Sequence, residues 1–261
     1  MYSTLILDIS GAVATITLNR PDKRNAMSAT MIAELQTALD EIEKSHVRVG
    51  ILTGAGKAFC SGMDLEMLAA IAQQTPAENQ EDSRRMAKMF RRIWSFPRPL
   101  IAAVNGAALA GGCGIATLCD FTLAVAEAKF GYTEVKIGFL PALVSVFLIR
   151  QIGEKRTRDL LLTGRILEAV EAKEMGLVNE IVPAENLIAR SKELAELLIA
   201  ASPASLSRAK RLMTSAAAAS VDADLERAIL ENARIRCTSD FKEGLASFLE
   251  KRKPVWRGKP E

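Results

Sequence analysis

The sequence predicts an α/β fold with a helical C-terminal unit, and three observations carry this prediction. Short apolar runs typical of strands alternate with amphipathic stretches typical of helices over most of the chain. From about residue 185 onward the pattern is almost wholly helical. Of the 261 residues, 49% are hydrophobic, which is enough to bury a sizeable core. We therefore predict a core over residues 1–200 and a helical region over residues 201–261.

The predicted strands follow from apolar alternation or from short apolar runs bounded by turn residues. The first two runs alternate on either side of Ser10-Gly11, which predicts a hairpin. A later apolar run begins after His46, and this run ends at the turn Gly54-Ala55-Gly56. The predicted strands are residues 5–9, 13–18, 47–53, 100–104, 120–125, 128–130 and 177–182.

The predicted helices follow from caps and from apolar residues at helical spacing. Ser28 is a predicted N-cap for a helix with Leu35, Leu39 and Ile42 on one face. Residues 73–82 are polar and contain Thr75-Pro76, which predicts a mobile loop of a length typical of functional lids. The predicted helices are residues 28–45, 83–94, 187–201, 203–218, 222–236 and 240–251, with others starting near Gly62, Gly111 and Ala142.

Composition disfavours several functional classes. The formal net charge is +3 with acids and bases interspersed, so a nucleic-acid partner is not expected. Cys60, Cys113, Cys119 and Cys237 form no CxxC pair, which argues against a zinc site or a disulfide framework and for a reduced, cytoplasmic setting. No secretory leader and no membrane span are expected, and the single histidine, His46, fits a surface or capping role.

The segment of residues 101–120 is the most informative, because an apolar strand runs into a glycine-bearing turn that opens a helix. A helix that starts near Gly111 and Gly112 leaves backbone N–H groups free at the positive end of the peptide dipoles. Such a turn can hold an oxyanion. The glycines at 111, 112 and 114 fit close packing between helix and strand equally well, so both interpretations stay open on the local pattern.

Two further motifs accompany this turn. Gly56-Lys-Ala-Phe-Cys-Ser-Gly-Met-Asp-Leu65 is a second glycine-bearing junction, and Phe130-Gly-Tyr-Thr-Glu134 places a carboxylate 20 residues after Gly114. Together with residues 21–27 and 243–254, they resemble the enoyl-CoA hydratase/isomerase (crotonase) superfamily over nearly the whole chain. The resemblance implies a crotonase-like spiral of strand-strand-helix turns over residues 1–200, with residues 201–261 packing subunits into a homo-trimer or a hexamer.

The resemblance also implies a catalytic site. Backbone N–H groups of Met63 and Gly111 would stabilise a thioester enolate, with Glu134 as the catalytic base. The substrate would be an acyl-CoA, with no metal and no separate cofactor. Phe248 and Lys251 would reach the ligand of a neighbouring subunit. The implied CoA-binding residues are Lys23, Arg24, Ala26, Ala58, Ser61, Asp64, Leu65, Phe248 and Lys251.

Several of these residues also fit ordinary structural roles. Met63 fits core packing, and Asp64 fits a helix cap better than an acid. Lys23, Arg24 and Lys251 fit exposed solubilising charge as well as phosphate binding.

The sequence departs from the hydratase pattern at two places. Hydratases of this family carry two glutamates, but the first position is Gly114 here and only Glu134 is present. The glycine-rich run that follows the proline in hydratases is here Pro141-Ala-Leu-Val-Ser145. One base suffices to move a proton from C2 to C4, so Δ3,Δ2-enoyl-CoA isomerisation is narrowly preferred, with 2-enoyl-CoA hydration by one glutamate as the alternative.

Hydrolases and dehalogenases of the family need an aspartate where this chain has Ala142.

A hypothesis of another class stays open: a catalytically weak scaffold that binds acyl-CoA or RNA, although the net charge gives RNA little support. The acyl chain is not specified by the sequence. Met67, Leu68, Leu140, Val144 and residues 73–82 are expected to shape its pocket. A second carboxylate arriving from residues 73–82 would restore a two-base mechanism.

Overall fold

The computed structural model describes residues 2–257, and within them ten strands and nine α-helices form a mixed α/β fold. The strands are β1 Leu5–Ser10, β2 Val13–Leu18, β3 Val49–Gly54, β4 Ala58–Cys60, β5 Leu100–Val104, β6 Ala107–Leu109, β7 Phe121–Val125, β8 Lys129–Gly131, β9 Ile166–Glu168 and β10 Glu180–Val182. The helices are α1 Ala29–Lys44, α2 Leu65–Ile71, α3 Pro76–Trp94, α4 Gly111–Leu118, α5 Ala142–Thr163, α6 Ala169–Met175, α7 Leu187–Ala200, α8 Pro203–Ile235 and α9 Ser239–Leu249. Short 3-10 helices cover Pro21–Lys23, Glu134–Ile137 and Ala184–Asn186.

The strands form two sheets. The larger has the order β1-β2-β3-β5-β7-β10, with an antiparallel β1–β2 hairpin and parallel pairing in every other step. The smaller has the order β4-β6-β8-β9, with β8 and β9 antiparallel. Each of β3, β5 and β7 is followed in the chain by a strand of the smaller sheet. This alternation confirms the predicted strand-strand-helix spiral and brings the junctions after β4, β6 and β8 to one place.

Local chemistry explains where the helices begin. Ser28 caps α1 by accepting a hydrogen bond from the Met31 amide at 3.2 Å, as predicted. Asp64 caps α2 through the Glu66 amide at 2.9 Å, so this helix begins at Leu65 and not at Gly62. The helix predicted at the glycine turn is present as α4, which begins at Gly111.

The predicted lid over residues 73–82 is wrong, because α3 already begins at Pro76. Thr75 and Glu78 form a capping box in which each side chain accepts from the other residue's backbone amide. Proline at the first helical position favours the same start. Residues 76–82 are therefore helical, and Asp82 is buried against Arg236.

The C-terminal part differs from the prediction in one respect. The helices predicted at 203–218 and 222–236 are a single helix, α8, since neither proline nor glycine interrupts the alanine-rich middle. It packs against α3 and α5, while α9 packs against the 3-10 helix Glu134–Ile137. The boundary at residue 200 stays a prediction, and residues 258–261 of the predicted 201–261 region lie outside the described residues.

The remaining predictions from composition concern single residues and membrane spans. Cys60, Cys113 and Cys119 are buried, and burial raises the pKa of each thiol to about 12. His46 is exposed, and its Nε2 lies 2.9 Å from the Gly11 carbonyl oxygen. Over residues 2–257, no helix combines the length and apolar character that crossing a membrane requires.

Candidate active site

A cavity of about 540 Å³ lies where the junctions after β4, β6 and β8 meet. It is lined by the three residues predicted to do the chemistry, Met63, Gly111 and Glu134. The predicted CoA-binding residues that also line it are Lys23, Arg24, Ala26, Ser61, Asp64, Leu65 and Phe248. The topology thus brings together residues that are far apart in the sequence.

The Met63 amide is left free by the backbone pairing around it. Met27 and Met63 form an isolated parallel bridge, in which the Met27 amide donates to the Gly62 carbonyl at 2.8 Å and the Asp64 amide donates to the Met27 carbonyl at 2.9 Å. These bonds use the groups on either side of Met63. The N–H of a residue so bridged points away from its partner, which leaves it available to a ligand.

The Gly111 amide is free for a different reason. Gly111 is the first residue of α4, and the first four amides of a helix have no partner within the helix. The residue before it, Ala110, has φ 50 and ψ −128, a conformation that favours glycine, and its amide donates to the Gly131 carbonyl at 2.7 Å. The strained turn thus aims the start of α4 into the cavity.

Close packing holds the two turns together. Gly62 has φ 97, and a Cβ at this position would come within 3.0 Å of the Ala110 Cβ. A Cβ at Gly112 would overlap the carbonyl oxygen of Cys60, and one at Gly111 would lie 2.5 Å from the Met27 methyl carbon. The glycines therefore serve close packing as well as exposing backbone amides, so the two interpretations of the turn are compatible.

Glu134 is a buried carboxylate with one unpartnered oxygen. It opens the 3-10 helix Glu134–Ile137, is 8% exposed, and its Oε2 makes no hydrogen bond. Desolvation by burial raises its pKa from 4.5 to about 7, against a smaller opposing contribution from its own backbone amide. A carboxyl with this pKa can both accept and return a proton near neutral pH.

The space beside Gly114 is filled by apolar side chains. A Cβ built on Gly114 would lie 2.6 Å from Val144 Cγ1 and 3.5 Å from the ring of Phe90. Val144 and Phe90 both line the cavity. A longer side chain at position 114 cannot enter unless Val144 moves, and β-branched residues have few alternative rotamers in a helix. Apolar side chains therefore occupy the space that a side chain at position 114 would need.

The cavity also has a charged, exposed border. Lys23 and Arg24 are exposed, and Lys23 Nζ lies 3.3 Å from Glu66. Asp64 is 4% exposed, pairs with Arg20 at 2.7 Å and caps α2. These contacts confirm its predicted role as a cap, and they depress the pKa of its carboxyl, although burial opposes that shift.

Two of the predicted CoA-binding residues do not line the cavity, and a third lines it. Ala58 does not line the cavity, because it is buried in β4, where its carbonyl accepts from the Asn25 side chain. Lys251 also lies outside the lining, beyond the end of α9 with φ 54. Phe248 lines the cavity of its own chain because Phe241 and Leu245 pack α9 against α2, and its contact with a neighbouring subunit's ligand stays a prediction.

The expected acyl-pocket residues are present only in part. Leu68, Leu140 and Val144 line the cavity, whereas Met67 and residues 73–82 do not. No second carboxylate therefore enters from that segment. Two polar residues that line the cavity, Asn232 and Arg236, were not predicted, since an arginine on a surface helix is ordinarily exposed.

Comparison with known proteins agrees with this architecture. A family model described as enoyl-CoA hydratase/isomerase matches residues 8–259. The chain belongs to the enoyl-CoA hydratase/isomerase family. A Thermus thermophilus protein described as a candidate enoyl-CoA hydratase is 45% identical over 245 residues, which are 94% of this chain and 97% of the relative. A short-chain-enoyl-CoA hydratase of Clostridium acetobutylicum is 34% identical, with 96% of each chain covered.

Solved structures of the family show the same fold. An enoyl-CoA hydratase/isomerase from Xanthobacter autotrophicus Py2 superposes with a TM-score of 0.89 at 31% identity, covering 97% of this chain and 98% of the other. An enoyl-CoA hydratase from Mycobacterium avium has a TM-score of 0.86 at 32% identity, covering 97% and 99%. The protein is therefore a crotonase-fold member of a family of acyl-CoA enzymes.

Proposed function

We propose that this protein isomerises Δ3-enoyl-CoA to Δ2-enoyl-CoA thioesters, with Glu134 as the single catalytic base. The observation that carries the proposal is the state of the carboxylates along the cavity wall. Asp64 forms an ion pair with Arg20 and caps the start of α2, and Asp22 is exposed. Asp64 and Glu134 are both buried and each has one oxygen without a hydrogen bond, but that oxygen of Asp64 lies 2.7 Å from the Arg20 guanidinium, whereas Glu134 forms no ion pair with any of the described residues.

The reaction follows from the positions of these groups. Glu134 takes a proton from C2 of the acyl chain, and the electron pair left on C2 delocalises over the double bond and onto the thioester oxygen. Amides of Met63 and Gly111 donate to that oxygen, an interaction worth about 3 kcal/mol of barrier for each donor. The protonated Glu134 then returns its proton to C4. The proton is only moved, so no water and no separate cofactor or metal takes part.

The wall opposite the base favours this reaction over hydration. A hydratase must hold a water molecule while it is deprotonated, and a second acid usually helps to orient it. Val144 and Phe90 fill the space beside Gly114, where that second group would be attached. A cavity closed in this way favours an intermediate that is protected from water.

Hydration of 2-enoyl-CoA by the single glutamate is the alternative, and the hydratase names of the Thermus and Clostridium relatives favour it. A catalytically weak scaffold is less well supported, because a buried carboxylate oxygen without a hydrogen bond lowers stability, and catalysis by Glu134 would account for its presence.

The binding mode proposed for CoA uses the exposed edge of the cavity. Lys23 and Arg24 would contact the phosphates as flexible cations, while the backbone near Ala26 and Ser61 borders the same opening. Self-association as a trimer or hexamer is part of the proposal. Leu212 and Met213 on α8 are 72% and 70% exposed, and burying such side chains between subunits is favourable. A cytoplasmic location fits the unpaired buried thiols.

The deciding experiment offers the purified protein a 3-enoyl-CoA and a 2-enoyl-CoA in parallel and identifies the products by chromatography. Conversion of the 3-enoyl to the 2-enoyl thioester is expected. Formation of 3-hydroxyacyl-CoA without isomerisation would instead establish hydration.

Variants then test the base. Glu134→Gln is expected to lower kcat about 10²- to 10⁴-fold, the usual contribution of a general base, while the matched change Glu127→Gln at an exposed site leaves kcat unaltered. If Glu134→Gln leaves turnover of every acyl-CoA unchanged, the catalytic assignment is wrong and the scaffold hypothesis gains. RNA retention that weakens with salt would point the same way.

A further inference from the structure

Arg236 is a buried cation in the wall of the cavity. It follows directly on α8, is 2% exposed, and lines the same cavity as Glu134. Its Nη1 donates to Asp82 at 2.8 Å and its Nη2 donates to Asn232 at 2.8 Å. Its Nε is buried and makes no hydrogen bond. A buried donor without an acceptor is unfavourable, so this N–H is a candidate ligand-binding group.

The polar side chains around Arg236 are bonded to other groups: Asn79 Oδ1 lies 3.3 Å from Nη1, and none of these side chains accepts from Nε. The Asn232 amide oxygen already accepts from Ser83 at 2.8 Å, and its nitrogen donates to the Leu140 carbonyl at 3.2 Å. Asp82 accepts from a second arginine, Arg85, at 3.3 Å. Two guanidinium groups therefore share one carboxylate, and the cluster carries one net positive charge.

The position of Arg236 within the cavity is interior. Lys23 and Arg24 are exposed at the opening, whereas Arg236 is buried. The Phe139 ring lies 5.5 Å from the Arg236 guanidinium carbon, and the Phe139 amide donates to the Glu134 carbonyl at 3.0 Å. The segment that carries the base thus also packs on the guanidinium, so Glu134 and Arg236 both border the buried part of the cavity.

We propose that the substrate's acyl chain carries a carboxylate that accepts a hydrogen bond from Nε of Arg236. The substrate class is then the CoA monothioesters of unsaturated dicarboxylic acids, which rests on the proposed action of the cavity on enoyl-CoA thioesters. The carboxylate would balance the excess charge of the Asp82, Arg85 and Arg236 cluster. Leu140 and Val144 would contact the methylene groups between the thioester and this carboxylate.

The first test measures binding to the wild-type protein by calorimetry with saturated thioesters, which cannot react. Glutaryl-CoA is compared with its uncharged amide and with 5-methylhexanoyl-CoA, which has nearly the same shape, and the series is repeated one methylene longer. The thioester with a terminal carboxylate is expected to bind roughly 10- to 100-fold more tightly than its branched-alkyl isostere at one or both acyl-chain lengths. Equal or tighter binding of the isostere at both lengths would overturn the proposal, and so would an amide that binds as tightly as the carboxylate.

The second test removes the cation together with its partner. The double variant Asp82→Asn/Arg236→Gln avoids leaving a buried carboxylate unpaired, which would destabilise the fold. Its preference for glutaryl-CoA over 5-methylhexanoyl-CoA should fall to less than about 3-fold, well below the contribution of a charged hydrogen bond. The matched double variant Asp120→Asn/Lys210→Gln removes another ion pair, which lies outside the cavity lining, and should keep the preference. Retention of the preference in the Arg236 variant contradicts the proposal.

The two proposals fail separately. Isomerase activity with an alkyl 3-enoyl-CoA tests the reaction, and the binding ratio tests the carboxylate. A protein that prefers glutaryl-CoA but isomerises nothing retains the inference and loses the isomerase assignment. If the double variant does not fold, the wild-type ligand series still decides.

Discussion

Replacing Glu134 by glutamine should stabilise the protein while removing its activity. Glutamine has the shape of the protonated carboxyl but cannot ionise. Burial moves the pKa of Glu134 from 4.5 to about 7, so ionising it in the folded state costs about 3 kcal/mol more than ionising it in the unfolded chain. The Glu134→Gln variant does not bear that cost.

The sign of this effect depends on pH. The folded protein holds the Glu134 proton more tightly than the unfolded chain does, so wild-type stability falls as pH rises from about 4.5 to about 7 and is constant with respect to this group above that. The stability gained by Glu134→Gln should be about 1 kcal/mol at pH 5 and about 3 kcal/mol at pH 8. The gain is smallest where both states of the wild type keep the proton.

Urea unfolding at pH 5 and pH 8 measures this difference, at one fixed protein concentration because self-association adds to apparent stability. The exposed Glu127→Gln variant serves as the control and should match the wild type at both values. The reasoning is refuted if Glu134→Gln is less stable than the wild type at pH 8, or if its gain is the same at both pH values.

Three further predictions concern the same cavity. The kcat/KM for a 3-enoyl-CoA should rise about tenfold per pH unit up to about pH 7 and then level off, because Glu134 must be ionised; a flat profile from pH 5 to pH 8 would contradict this. Gly114→Glu should unfold at lower urea than wild type because its Cβ meets Val144, and adding Val144→Ala should restore stability and yield 3-hydroxyacyl-CoA from 2-enoyl-CoA. If the double variant forms no more 3-hydroxyacyl-CoA than the wild type does, the apolar wall is not what prevents hydration. Gly112→Ala should lower the unfolding free energy by about 1–3 kcal/mol because its Cβ overlaps the Cys60 carbonyl, and an unchanged urea midpoint would refute that.

The free amide of Gly111 was predicted from local backbone chemistry, whereas the roles predicted for Met63 and Glu134 followed from the resemblance to the crotonase superfamily. Met63 and Gly111 lie at glycine-bearing turns, and Glu134 lies 20 residues after Gly114. Caps such as Ser28 and Asp64 act within three residues, so they too are visible in the sequence.

The parts that were missed depend on packing or on a local signal given too little weight. Thr75, Pro76 and Glu78 together specify a helix start, although the composition of residues 73–82 is that of a loop. The Arg236–Asp82 pair joins residues 154 apart, and only the contact of α3 with α8 buries it. No pattern near Arg236 distinguishes this arginine from the exposed arginines of α8.

The missing glutamate and the raised pKa of Glu134 have a common physical basis. A carboxylate at position 114 would bring a second charge and water to this cavity, whereas Val144 and Phe90 fill that space with apolar groups. Desolvation is what raises the pKa of Glu134 to about 7. A base that must return the proton it takes works best when its pKa is near the working pH, since neither direction of transfer is then strongly uphill. In the proposed isomerisation, an apolar wall in place of a second acid would therefore give Glu134 a pKa suited to taking and returning one proton.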